Sequence, residues 1–328
     1  MTTPRPPRLL GDIGGTNARF AWQAGDGAPL QDIAALATAD HASVGAAITH
    51  YLAATGRSAP PWCAIGIANP ITGDRVQMTN SHWSFSIAAL QAELGFERLL
   101  VINDFTALAL ALPDLQPSDL RQLGGGAAVP DSAIALVGPG TGLGVSGLLP
   151  GARPGAWVPL QGEGGHVTLA AANDREEAVL SVLRERFGHA SAERAVSGMG
   201  LEALHAALTT LDAPASAPAA LPAVATLPAA EITARALAGS DARCAEAVAL
   251  FCGFLGSVAG NLALTLGARG GVYIGGGIVP RLGALFEGSA FRERFEAKGR
   301  FRAYLAQIPV FVIHANVSPA LLGAARAL

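Results

Sequence analysis

Short apolar runs along the chain alternate with glycine-rich or polar breaks, the rhythm of buried strands that end in loops. Leu9 to Ala21 shows it first: an apolar strand, a turn containing Gly11, Asp12, Ile13, Gly14, Gly15, Thr16 and Asn17, and a second strand returning beside the first. Ser43 is placed to cap a helix running to about Leu52, and Cys63 to Ala68 is a β-rich run broken at Asn69-Pro70. A loop at Thr72-Gly73 leads to a short strand from Arg75 to Thr79, and Ser86 caps a helix ending at Gly95. Arg98 to Ile102 reads as another buried strand. It stops at Asn103-Asp104, before a helical pattern from Phe105 to about Ala111. Strand and helix in alternation predict an α/β architecture.

A second cycle opens at Ala133 with a strand, the turn G-P-G-T-G-L-G and a returning strand to Leu149. Its glycines and threonine (Gly140, Thr141, Gly142) repeat the device of Gly14, Gly15 and Thr16, so a duplicated architecture with two phosphate-facing hairpins is expected. Trp157 to Leu160 and then G-E-G-G-H follow. Asn173 or Asp174 starts a helix to Phe187, closed at Gly188, and Ser191 to Arg194 opens a further helical turn. Asp212 to Ala230, four prolines among alanines, reads as a surface excursion of little functional value. Ala242 to Leu266 is long enough to cross a bilayer, but Arg243, Glu246 and Asn261 favour a buried amphipathic helix. The chain then gives a strand V-Y-I, the run G-G-G-I-V-P, a last strand P-V-F-V-I-H and a helix from Ser318 or Pro319 through Ala325.

Composition narrows the function. With 328 residues and 51% hydrophobic content the chain fits two ordinary domains or one large one. A net charge of -3 and a pI near 6.2 leave no basic face for nucleic acid or an anionic membrane. Near the N-terminus Asp12 and the glycines interrupt the first apolar run, so no signal peptide is expected. Cys63, Cys244 and Cys252, odd in number and scattered, read as buried thiols in a reducing cytoplasm. Of 22 basic residues only Lys298 is a lysine, and no phosphate-binding glycine turn surrounds it. Nucleotide chemistry here must therefore proceed without the lysine clamp of P-loop enzymes and protein kinases. Neither glycine-rich turn keeps the G-x-G-x-x-G spacing of a dinucleotide site.

The candidate chemistry lies at the breaks. Glycines 11, 14 and 15 let an anion approach backbone amides, and Asp12 beside such a pocket calls for an intervening divalent cation, magnesium with a nucleotide. The same stretch is also compatible with a plain hairpin that needs glycine to turn. Asp104 is either a helix N-cap or a site residue, and the adjacent Asn103 weighs toward the site, since one cap needs one polar group. Glu163 and His166, separated by two glycines, can be aimed one way as partners for hydroxyl groups; Glu193 by default is a solvated first-turn acid. Gly275, Gly276 and Gly277 at a strand's end would let an adenine ring rest on the backbone, or form a loop that binds nothing.

G-D-I-G-G-T-N-A-R, I-N-D-F-T-A, G-T-G-L-G, G-E-G-G-H, S-A-E-R and G-G-G-I-V-P stand in one order from about Arg8 to Ala325. Together they resemble the bacterial glucokinases, ATP-dependent hexose kinases of the actin-like ATPase (ribonuclease H-like) superfamily. The resemblance implies two α/β domains, each with a mixed sheet, and an interdomain cleft: residues 1–114 completed by 305–328, and residues 115–304. It implies that Asp12 to Asn17, with Gly11, hold the phosphates, that Asp12 reaches magnesium through water, and that Gly140 to Gly142 grip the phosphates from the other domain. Gly275 to Gly277 would flank adenosine. Asn103, Asp104, Glu163, His166 and Glu193 would bind glucose hydroxyls, with Asp104 the general base. It also implies a cytoplasmic homodimer whose partners are glucose and ATP. The cysteine cluster that holds zinc in related sugar kinases is absent, so no zinc is expected. A kinase for another hexose and a non-catalytic sugar sensor are the alternatives.

Overall fold

The computed structural model describes residues 6–153, 155–213, 227–315 and 317–328. Most of the Pro/Ala-rich stretch, 214–226, lies outside the described residues. The chain divides into two units, Met1–Gln116 with Pro159–Gln161 and Ala315–Leu328, and Pro117–Val158 with Gly162–His314.

The first unit is built on β1 (Arg8–Ile13), β2 (Asn17–Gln23), β3 (Leu30–Ala37), β4 (Trp62–Ile67) and β7 (Arg98–Asn103), ordered β3-β2-β1-β4-β7, with a separate two-stranded ribbon of β5 (Arg75–Gln77) and β6 (Ser84–Ser86). β1, β4 and β7 are parallel, so Ile13, Ile67 and Asn103 end at one edge. Alternation along β1 explains how the sheet is covered. Leu9 and Ile13 join the core beneath the helices Val44–Thr55 and Ile87–Leu94, whereas Leu10 packs with Leu321, Ala324 and Ala325 of the helix Pro319–Ala327. Ser43 and Ser86 cap the two outer helices, each accepting a hydrogen bond from a backbone amide three residues on, and Gly56 and Gly95 end them in the left-handed region. Strand β3 has no counterpart in the sequence reading: L-Q-D-I-A-A-L-A lacks strong β formers and clean alternation, and its pairing with β2 is broken by a bulge between Phe20 and Trp22.

The second sheet is β8 (Leu120–Gln122), β9 (Ile134–Pro139), β10 (Leu143–Pro150), β11 (Trp157–Gln161), β12 (Val272–Ile274) and β13 (Val310–Ile313) in the order β11-β10-β9-β12-β13-β8, and it belongs to the second unit except for the last three residues of β11, Pro159–Gln161, which group with the first. β9, β12 and β13 are parallel, while β10 and β8 run antiparallel to their neighbours. Because β13 pairs with both β12 and β8, residues 305–314 stay with this unit; the return to the first falls at Ala315, later than the expected 305, and the first crossing falls after Gln116.

The helix Ala242–Leu266 is the core helix of this unit. Phe251, Phe254, Leu255 and Val258 are buried in its cluster, and Gly256 and Gly260 let the backbone at Phe291 and Phe295 come so close that a Cβ at either glycine would collide with a carbonyl oxygen. Its apolar length is thus used for packing inside the protein. The three cysteines are free and buried.

Candidate active site

In the first unit, three parallel strands deliver the polar residues to one edge. β1 ends at Asp12 and Ile13, β4 leads to Asn69-Pro70, and β7 ends at Asn103. The turn after β1 is closed by Gly14 N donating to Asn17 O at 2.9 Å, and the Thr38 hydroxyl donates to Gly15 O at 2.7 Å. A side chain at Gly15 would meet Asn80 O at 2.6 Å, so the fold itself requires glycine there. It does not require one at Gly14, where an added methyl would find nothing nearer than Asn17 O at 3.6 Å. Space over Gly14, beside the turn's amides, suits a phosphate oxygen.

Asp12 shares a sheet face with Leu10 and therefore points to the side of the C-terminal helix. Its Oδ2 accepts a 2.6 Å hydrogen bond from the Ser318 hydroxyl and a longer one, 3.4 Å, from Arg19. Ser318 stands at the N-cap of its helix without capping it, and its hydroxyl donates to Asp12 instead. Arg19, directly opposite Asp12 in the hairpin register, is 45% exposed and adds a mobile positive charge beside the turn. Neither residue was singled out from the sequence. Arg19 could have been found by counting outward from the turn; nothing local marks Ser318.

The ambiguity at Asn103-Asp104 resolves. The helix begins at Asp104, one residue earlier than expected, and Asn103 is its cap: Asn103 Oδ1 accepts from Phe105 N at 2.9 Å and Thr106 N at 3.1 Å. Its Nδ2 reaches Asn69 O at 3.5 Å, so Asn69 joins this edge as well. Asp104, in the first turn, has one carboxylate oxygen on Phe105 N at 2.9 Å. Its backbone is fixed from both sides by small residues. A methyl at Gly66 of β4 would meet Ala107 Cβ at 3.0 Å and Asp104 Cα at 3.5 Å, and one at Gly323 of the C-terminal helix would collide with the Ala107 carbonyl.

In the second unit the predicted residues also converge. β9 and β12 are parallel neighbours, so G-P-G-T-G and G-G-G leave the sheet side by side, and Gly276 is seated against the Pro139 carbonyl with φ +77°. Gly140 O accepts from Gly198 N at 2.8 Å, which places the second turn at the N-terminus of the helix Gly198–Leu211. Sequence reading had only a turn there, because G-M-G is a poor helix start; Ser197, which caps Gly200 N at 2.9 Å, was the available signal.

Glu193 proves not to be a solvated acid. Its Oε2 accepts from Leu143 N at 2.9 Å, and its own amide donates to Gly165 O at 2.8 Å. These two bonds tie S-A-E-R to the second turn and to G-E-G-G-H. A Cβ at Gly142 would lie 2.5 Å from Glu193 Oε2, so a side chain there would displace the Glu193 carboxylate. Gly164 and Gly165 lie on Val145 and Leu143 of β10, and Glu163 and His166 flank that seat with exposed side chains. At Gly140 and Gly277 an added methyl would meet nothing within 4 Å, and neither has left-handed backbone, so the fold demands glycine at neither position.

A family model described as Glucokinase matches residues 9–328. The chain is 58% identical to the glucokinase of Aromatoleum aromaticum, over 98% of this chain and 94% of that one. It aligns with the crystal structure of a glucokinase from an Antarctic psychrotroph at 36% identity and TM-score 0.84, covering 98% of each chain. A more distant structure, a glucokinase of the ROK family from Streptomyces griseus in complex with glucose and AMPPNP, shares 17% identity and aligns at TM-score 0.64 over 98% of both chains, which places the fold among the two-domain actin-like ATPases.

Proposed function

The chain belongs to the glucokinase family and transfers the γ-phosphoryl group of ATP to the 6-hydroxyl of glucose, and we propose that Asp104 is the base of that transfer. The observation that carries the assignment is the cap. Asn103 has taken over the helix N-terminus with its side-chain oxygen, so Asp104 is not needed to cap the helix that holds it.

Phosphoryl transfer runs through a loose transition state, so alignment and charge stabilisation matter more than covalent assistance. The O6 of glucose attacks the γ-phosphorus, the bond to the bridging oxygen breaks, and ADP leaves with the electron pair. Asp104 accepts the O6 proton as the new bond forms, an effect of about 10² to 10⁴ in rate. Asn103, through Nδ2, together with Glu163, His166 and Glu193 would hold the other hydroxyls; the carboxylates accept from them, and each hydroxyl so bound discriminates among hexoses. The turns at Gly11 to Asn17 and Gly140 to Gly142 offer amides to the phosphates, with Gly275 to Gly277 against adenosine. The methyl-sized spaces at Gly14, Gly140 and Gly277 support this reading, since the fold leaves them unfilled.

Asp12 fits a water-mediated magnesium ion: a mostly buried carboxylate, oriented by Ser318, stands beside a turn lined with amides. When bound, the metal neutralises charge on the phosphates. We further read the working form as a homodimer in the cytoplasm, the compartment being consistent with free, buried thiols.

Asp104→Asn tests the base. Asn keeps an oxygen for Phe105 N, so glucose affinity by calorimetry is expected to hold while kcat, followed by coupled ADP release, falls with a loss of roughly 3 to 5 kcal/mol of transition-state stabilisation. Near-normal turnover would remove Asp104 from the role.

A further inference from the structure

Three groups that play no part in the transfer meet between two helices of the second unit. His205 comes from the helix Gly198–Leu211, Asp241 is the N-cap of the helix Ala242–Leu266, and Cys244 lies in that helix's first turn. One potential ligand atom from each lies within 4.8 Å of the other two. Cys244 is fully buried and His205 is 7% exposed, yet among the described residues His205 Nδ1 has no hydrogen-bond partner. A buried imidazole nitrogen without a partner is destabilising, so the arrangement asks for something that would satisfy it.

We propose that His205, Asp241 and Cys244 form a binding site for a zinc-class divalent cation, with water as the fourth ligand. The donor set selects the metal. One imidazole nitrogen, one thiolate and one carboxylate suit the borderline-soft Zn²⁺, whereas Mg²⁺ and Ca²⁺ need shells of oxygen. Thiolate and carboxylate together balance the charge of the ion, and the Cys244 proton leaves to solvent on binding. Asp241 Oδ1 is held by the amides of Arg243 at 2.9 Å and Cys244 at 3.1 Å, which fixes the carboxylate at the start of the helix. Of the cations nearby, Arg235 pairs with Glu231 at 2.7 Å and stands 3.8 Å from Asp241, while Arg243 lies 3.8 Å from Asp212 without a hydrogen bond from its Nε among the described residues. Tetrahedral ligands around zinc sit roughly 3.3–3.8 Å apart, so closing on the ion requires movement of about 1 Å. The site shares nothing with a clustered-cysteine arrangement. It would clamp the helix whose first residue, Gly198, donates to Gly140 of the phosphate turn.

Full-length protein stripped with a chelator is titrated with Co²⁺ and then with Zn²⁺ as competitor. One equivalent of Co²⁺ is expected, with a thiolate charge-transfer band in the near ultraviolet and the visible bands of tetrahedral cobalt, all abolished by Zn²⁺. Cys244→Ser should lose the charge-transfer band and His205→Gln should bind at least tenfold more weakly, with glucose turnover of Cys244→Ser within twofold of the parent. A measurement without variants accompanies this: Zn²⁺ should slow alkylation of Cys244, followed by peptide mass mapping, at least fivefold. A parent protein without the band, a band undiminished in Cys244→Ser, or an alkylation rate indifferent to Zn²⁺ would overturn the site.

Discussion

The hairpin of the first unit and that of the second each follow a strand with glycines and a threonine, yet they are held in different ways. The first leans on side chains far away in the sequence: Thr38 on Gly15, Asn80 beneath it, and Ser318 on Asp12. Beside it, Asp104 is positioned by backbone packing through Gly66, Ala107 and Gly323, with almost no side chain between the elements. The second is held by Glu193, which bonds Leu143 N with its side chain and Gly165 O with its amide, and by the amide of Gly198 on Gly140 O. The edge around the first turn thus combines such hydrogen bonds with steric closeness at the Asp104 helix, whereas the second turn rests on a charged hydrogen-bond bridge. The first mode should respond to added volume and the second to lost charge.

The harshest test of that contrast is Gly323→Val. Its side chain would be driven into the Ala107 carbonyl, and the expected loss is about 3 kcal/mol, seen as a lowered unfolding midpoint, with turnover reduced as the Asp104 helix shifts. A stable, fully active variant would mean that closeness is not what positions the helix. Next in size is Glu193→Gln. It keeps an oxygen for Leu143 N but forfeits the charge, so about 1–2 kcal/mol is expected, chiefly as a raised KM for glucose. An effect confined to kcat would shift Glu193 from holding to chemistry. The gentlest is Gly140→Ala. Nothing in the fold meets the added methyl, so stability should change by no more than about 0.5 kcal/mol. The KM for ATP should nonetheless rise roughly tenfold, the equivalent of one charged hydrogen bond. An unchanged KM would show that the space above Gly140 is not used by the nucleotide.

Local chemistry was legible wherever it is written in neighbouring residues. The capping serines at 43 and 86, the closing glycines at 56 and 95, and the polar ends of β1 and β7 all signal themselves within a few positions. β3 was not legible, because Leu30–Ala37 is mostly exposed and becomes a strand by pairing with β2. The helix Gly198–Leu211 was obscured by glycines in its first turn and stands on tertiary packing of Leu201, Leu204 and Leu208. Of the site, residue types and order could be read, but not who supports whom. Ser318 lies some three hundred positions from Asp12, and Asn103 rather than Asp104 became the cap through a choice between two adjacent candidates that propensity ranks equally.

The segment Ala315–Leu328 rejoins the first unit after the whole second unit has been made. On the ribosome, Leu10, Ala64 and the back of the Asp104 helix must wait, apolar and uncovered, until Leu321, Ala324 and Ala325 emerge from the exit tunnel. A nascent chain halted before that point would expose sticky surface to chaperones and would lack the wall behind the helix Asp104–Ala111. Covering that face of the first sheet therefore waits on the segment that carries Leu321, Ala324 and Ala325.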